Sequence, residues 1–316
     1  MRVLTKPFEE MGEFAEIRSM LRKASVSLTG CVDSQKMHMV YGLSSGFRNK
    51  IIVTFSDLRA REIYEDYRFY DRNTVLYPAK DLIFYQADVH GNRLTMERMK
   101  ALRRILEGLP VTVVTTFDSL MTYQAPLETL KKGIVSIRRG KSLSWKETAG
   151  ILTATGYDKV YQVETPGQFA VRGGIIDIFD LTEENPYRIE LWGDEVESVR
   201  SFDVRSQRSI ENLESVEIYP ATELFEEELR KGIAAIEKDG MQTEKALREQ
   251  FRTQEAHRIE TQVAELKEQI LEYRSLLNVE SYLRYFYQEA TGFADFFEPS
   301  STLFVLDEPA RLQEHG

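Results

Sequence analysis

The run from Thr165 to Phe179 most constrains how this chain folds. Pro166 and Gly167 make a turn, and a short strand carrying Phe169 and Val171 follows. Gly173 and Gly174 break that strand before an apolar one from Ile175 to Phe179. Arg172 sits at the bend, where flanking glycines let the backbone turn sharply and leave its guanidinium little shielded. Tyr187 to Trp192 predicts a further strand, Gly193-Asp194 a tight turn, and Val196 to Phe202 the return strand. The implied structure is a small antiparallel sheet.

The segment before it has a different rhythm. Phe8 to Arg22 predicts a helix, because Phe14, Ile17, Met20 and Leu21 recur at helical spacing. Ala24 to Gly30 predicts a short strand entering a glycine turn. Lys50 to Phe55, Asn73 to Pro78 and Val111 to Thr116 predict three strands, separated by helices over Leu58 to Tyr70 and Arg93 to Glu107. Asp57 is the expected cap of the first of these helices. Strand–helix alternation with continuous apolar, β-branched strands predicts a parallel α/β layer covered on both faces.

The turn at Gly30 invites comparison with the phosphate-cradling loop G-x-x-x-x-G-K-[ST]. Gly30 and Lys36 fall in register, but Gln35 replaces the second glycine and Met37 the hydroxyl residue. Gln35 brings a side chain where close backbone approach to phosphate is needed. Met37 offers magnesium a thioether where it requires oxygen. The stretch therefore reads as the remnant of a nucleotide site.

Gln124 to Pro126 marks a border, followed by a short helix over Leu127 to Lys132 and a strand from Ile134 that ends at the basic pair Arg138 and Arg139. Ser144 caps the next helix, with Glu147 placed for a capping box. Val216 to Ala221 predicts a strand returning to the first layer. A helical segment runs from Phe225 to about Leu277, interrupted near Gly240. Its seam of Ile259, Val263, Leu266, Ile270, Tyr273 and Leu277 is apolar, and it predicts an arm folding back on its own domain. Aromatic stretches follow at Tyr282 to Tyr287 and Phe293 to Phe297. The last strand, Ser301 to Leu306, ends in Asp307 and Glu308. An apolar strand ending in two carboxylates is where helicase-type ATPases hold magnesium. With Gln35 and Met37 against catalysis, Asp307 and Glu308 read as architectural remnants.

The chain has 316 residues, a net charge of −10 and one cysteine, Cys31. A single cysteine rules out an internal disulfide and suits the cytoplasm. No apolar run reaches the ~20 residues that span a bilayer, and the N-terminus lacks the apolar core of a secretory signal. The acidic balance argues against a chain whose main task is wrapping DNA. Tyr77, Phe84 and Tyr85 could stack on bases, but core or helix-packing roles are the expected ones. Asp88 and His90 are a weak metal signal, and no metal site is expected.

The run Gly167-Gln-Phe-Ala-Val-Arg-Gly-Gly-Ile-Ile-Asp-Ile-Phe179, followed by Tyr187-Arg-Ile-Glu-Leu-Trp-Gly-Asp-Glu-Val-Glu-Ser-Val-Arg200, resembles the inserted domain shared by UvrB and the bacterial transcription-repair coupling factors. In that family the domain docks the damage-recognition protein UvrA. UvrB carries a long, aromatic-rich DNA-clamping hairpin before the helix at Arg93. The short connection here resembles the coupling factors instead, whose N-terminal module has a degenerate nucleotide site. The resemblance implies three regions: a degenerate P-loop, helicase-like α/β layer (1–124), an inserted α+β docking domain (125–217), and a helical segment with a return strand (218–316). It implies UvrA as the partner, with Arg172 as anchor and Lys159, Phe169 and Glu190 beside it. No cofactor or catalytic residue is expected in this segment. Contacts to RNA polymerase and DNA belong to other parts of the full-length family protein. The alternatives are a divergent UvrB-type excinuclease subunit, an ATP-dependent helicase fragment, and a coiled-coil scaffold acting through Ile259 to Leu277.

Overall fold

A computed structural model of the chain describes residues 2–79, 89–273, 283–287 and 291–315. It has two compact units, one of residues 1–80, 100–122 and 292–316, the other of 81–99 and 123–291. The long helical segment groups with the second unit, whereas the strand that follows it groups with the first. Helix α5 (Val89–Leu106) divides between them at residue 99.

The first unit is built on a parallel sheet of β1 (Asn49–Thr54), β2 (Thr74–Tyr77), β3 (Thr112–Thr116) and β14 (Thr302–Leu306). The strand order is β14-β1-β3-β2. Ile51, Ile52, Val53, Val113 and Val114 are fully buried, as the continuous β-branched runs require. Helices α3 (Asp33–Leu43) and α4 (Asp57–Tyr70) cover one face, where Met37, Val40, Ile63 and Tyr67 pack on Ile52, Leu76 and Val114. The unit also contains α6 (Phe117–Met121) and α12 (Pro309–His315).

Three local expectations change here. The cap of α4 is Ser56, whose hydroxyl accepts the Arg59 N–H at 3.3 Å, so Asp57 is already inside the helix. The helix expected over Phe8 to Arg22 is split into α1 (Arg2–Glu9) and α2 (Phe14–Met20). The break lets the rings of Phe8 and Phe14 stack 5.0 Å apart over Met39 and Leu43, so tertiary packing overrides local periodicity. Ala24 to Gly30 is not a strand. A strand exists only where a neighbour supplies ladder hydrogen bonds, and no described strand pairs with this segment. Tyr77 takes the expected core role: it is buried and stacks on Phe293 at 4.1 Å. Phe84, Tyr85, Asp88 and the His90 side chain lie outside the described residues.

The second unit begins with the short strand β4 (Tyr123–Gln124) and α7 (Leu127–Lys132). A two-stranded antiparallel ribbon follows, pairing β5 (Val135–Arg138) with β12 (Ser215–Ile218). The segment expected to return to the first layer is therefore β12, and it pairs with β5 instead. Alternation explains this: Val135, Ile137, Val216 and Ile218 are all buried on one face of the ribbon. Ser144 caps α8 (Trp145–Ala154) as expected. Then comes a six-stranded sheet of β6 (Asp158–Lys159), β7 (Gln168–Arg172), β8 (Ile175–Phe179), β9 (Tyr187–Trp192), β10 (Glu195–Phe202) and β11 (Ser209–Leu213). Its order is simply sequential, and all neighbours are antiparallel except β6 and β7.

Helix α9 (Glu226–Glu249) runs straight through Gly240, and α10 (Thr253–Tyr273) packs back on it. The interruption lies at Phe251, whose φ of 58° is left-handed. Gly240 has a different role. A Cβ there would lie 2.7 Å from Val263 Cγ2, so the glycine lets the helices approach closely. Ile270 is buried, and Ile259, Val263 and Leu266 are half-buried. Leu277, Tyr282 and the Tyr273 side chain lie outside the described residues. Further elements are α11 (Leu283–Phe286) and the short strand β13 (Thr291–Gly292). On α5, Arg98 is fully buried, donating to Glu223 at 2.7 and 3.2 Å and to Gln124 at 2.8 Å.

Candidate functional site

The six-stranded sheet has two unlike faces. Residues paired across adjacent strands share a face, and the face alternates along each strand. Val171, Ile176, Ile189 and Val199 form one such row, with Phe169 on the same side, and Phe169, Ile176, Ile189 and Val199 are buried there. Phe169 is thus a core residue and does not present a contact surface.

The opposite face carries the charges. Arg172, Ile175, Glu190 and Ser198 stand in one row across β7 to β10. The next row is Ala170, Asp177, Arg188 and Arg200. Asp177 is buried and accepts from Arg172 Nη2 at 2.6 Å and from Arg188 at 2.7 and 2.9 Å. Hydrogen bonding to Asp177 raises the Arg188 pKa. The Arg188 guanidinium also lies 4.2 Å from the centre of the Phe202 ring. Glu190 accepts from Ser198 at 2.7 Å and pairs with Arg200. Beyond Glu190 on the same side of β9, Trp192 is 81% exposed.

Arg172 is therefore not an unshielded side chain on a bend. It is half-buried, and the buried carboxylate of Asp177 orients it. The left-handed φ of 60° belongs to Gly173 beside it. Lys159 is exposed on β6, at the end of the sheet remote from β9 in strand order. Sequence reasoning missed Asp177, Arg188, Arg200 and Trp192. The signal was available, since residues 188, 190 and 192 alternate on one strand.

A second cluster lies in the first unit. Lys36 on α3 donates to Asp307 Oδ1 at 2.9 Å and to Glu308 Oε1 at 2.8 Å. Asp307 Oδ2 accepts from Thr54 Oγ1 at 3.1 Å and from Arg59 Nε at 3.2 Å. Burial alone pushes the Asp307 carboxyl up, but Lys36 and Arg59 outweigh it and hold the pKa below the usual carboxylate range. Burial likewise opposes the charge on Lys36, and Glu308 and Asp307 outweigh it, raising the lysine pKa. Gly30 has a left-handed φ of 78°, Gln35 is exposed, and Met37 is buried in the core under Ile52. Among the described residues no group of three or more His, Cys, Asp or Glu is placed to hold a metal ion.

Residues 135–224, from the first residue of β5 to just past β12, match the UvrB interaction domain. The chain is 32% identical over 305 residues to the transcription-repair-coupling factor of Bacillus subtilis (strain 168), covering 91% of this chain and 26% of that protein. It is 29% identical over 228 residues to the transcription-repair-coupling factors of Staphylococcus aureus strains Mu50 and USA300, covering 71% of this chain and 19% of each. Over 91% of its own length the chain is homologous to a transcription-repair-coupling factor. It spans about a quarter of the length of the Bacillus relative, as a UvrB-homology module. The matched residues contain the charged sheet face, while Lys36 and Asp307 lie outside them. No described helix is long and apolar enough to cross a membrane.

Proposed function

We propose that this chain is the UvrA-recruiting module of a transcription-repair-coupling factor. In that role it links RNA polymerase stalled at a lesion to nucleotide excision repair. The docking surface is the charged face of the six-stranded sheet. The observation that carries the reading is the fixed geometry of Arg172: its guanidinium is oriented by buried Asp177, and Glu190 stands in the same cross-strand row. Interface hot spots are enriched in arginine and tryptophan, and a pre-oriented side chain loses less entropy on docking. Arg172, Arg188 and exposed Trp192 supply those residue types on one face. Glu190 adds an acidic contact, and Lys159 is a peripheral one. The family match to a UvrB interaction domain supports UvrA as the partner. Within this segment the reading assigns no enzymatic activity.

Calorimetric titration of purified UvrA into the chain tests the proposal. Arg172→Ala and Trp192→Ala are each expected to weaken binding tenfold or more, which corresponds to about 1.4 kcal/mol per decade. Glu211→Ala, on exposed β11, is expected to leave it unchanged. Undiminished binding by folded Arg172→Ala and Trp192→Ala proteins would move the docking site off this face.

A further inference from the structure

The helicase-like layer implies a magnesium nucleotide, and the residues at that position do not fit one. The Met37 thioether is packed in the core with Val40, Ile52 and Ile63, and a thioether is no ligand for magnesium. Lys36, in register with the phosphate-binding lysine, instead contacts the two carboxylates at the end of β14. Both oxygens of Asp307 are engaged, and two of its three donors are cations. Magnesium demands near-octahedral oxygen ligands at short range and gives up its water reluctantly. At this carboxylate it would meet two positive side chains within about 3 Å of the ligand oxygens, where charge repulsion is strongest.

We infer that Lys36 and Arg59 are built-in counter-ions that replace magnesium at Asp307 and Glu308, making a former nucleotide position a ligand-independent clasp. The clasp joins α3, α4 and the end of β14, which are far apart in sequence. It also accounts for the backbone at Glu308, which has a left-handed φ of 53°. That conformation is unfavourable for a side chain larger than glycine, and the contact of Glu308 with Lys36 offsets the cost. Exposed Glu62 also accepts from Arg59 at 3.0 Å. Two cations thus face three carboxylates, one of them buried. This inference concerns the parallel sheet and is independent of UvrA docking.

Thermal melting of the full chain, with and without millimolar magnesium or manganese at constant ionic strength, tests it. The unmodified protein is expected to show no shift with either metal, or with ATP and magnesium together. The Lys36→Met/Arg59→Met variant leaves a buried carboxylate uncompensated. It is expected to melt at least about 4 °C lower and to regain stability when manganese is added. Adding Asp307→Asn to that variant removes the charge, and should restore stability while abolishing the manganese response. The single Lys36→Met variant gives the same comparison with Asp307→Asn if the double variant does not fold. A metal- or nucleotide-dependent shift in the unmodified protein would overturn the inference. So would a double variant as stable as the parent, or one indifferent to manganese.

Discussion

The ring of Phe286 lies directly against the backbone of Gly232 in the middle of α9. A methyl group at position 232 would overlap the ring, and Phe286 is buried with little room to move. Alanine is favoured over glycine in a helix by about 1 kcal/mol. Overpacking typically costs about 1–3 kcal/mol, and here the obstacle is a rigid ring. Gly232→Ala is therefore expected to destabilise the protein by about 1–2 kcal/mol net. Gly150 is exposed in α8, and open space surrounds the position a methyl group would take there. Gly150→Ala should therefore stabilise by up to about 1 kcal/mol. Urea denaturation of the two variants checks the opposite signs.

The two arginines on Asp177 are expected to differ in their effect on stability. Arg188 makes the paired contacts, touches Phe202 and reaches Gln207 at 2.8 Å, whereas Arg172 makes one contact and is more exposed. Removing one partner of a buried pair typically costs about 3–5 kcal/mol. Arg172 remains to Asp177 after Arg188→Ala, so a loss of about 2–3 kcal/mol is expected. Arg172→Ala leaves the paired contacts intact and is expected to cost under about 1 kcal/mol. Denaturant midpoints measured alongside UvrA binding separate a folding defect from a docking defect.

Asp307 makes stability depend on pH in a defined direction. Its folded pKa is depressed, so the unfolded chain binds its proton more readily. Its contribution is fully present above the unfolded value of about 3.9 and is lost as pH falls through the folded value. Asp307→Asn should be less stable than the parent at neutral pH, and the gap should close as pH falls below about 4. Urea midpoints across this range test it. A gap that stays constant with pH would assign the loss to packing instead of charge.

Phe251 is 94% exposed and left-handed at the turn between α9 and α10. Its N–H donates to Arg248 O at 3.0 Å and the Arg252 N–H donates to Leu247 O at 2.9 Å, the hydrogen-bond pattern of a helix end that glycine ordinarily closes. Phe251→Gly removes the steric cost of the left-handed conformation and no buried contact. It is expected to raise stability by about 0.5–1 kcal/mol after the extra freedom glycine gives the unfolded chain. Differential scanning calorimetry measures the gain.

The sequence by itself determined the parts of this protein governed by local pattern. Continuous β-branched runs determined β1 and β3, alternation and glycine turns determined β7 to β10, and Ser144 determined the start of α8. These signals are legible because helix and strand periods act over a few residues. It also marked Arg172 and Glu190, which share a cross-strand row, and Lys36 with Asp307, which are in direct contact. Only the tertiary structure decided what those residues touch. The split at Phe8 and Phe14, the pairing of β12 with β5, the burial of Phe169 and the pinning of Arg172 by Asp177 each depend on neighbours brought together by the fold. Lys36 and Asp307 are 271 residues apart, and no local period relates them. Parallel pairing of β14 with β1 carries the carboxylate to the lysine, so the chemistry of that cluster is a property of topology.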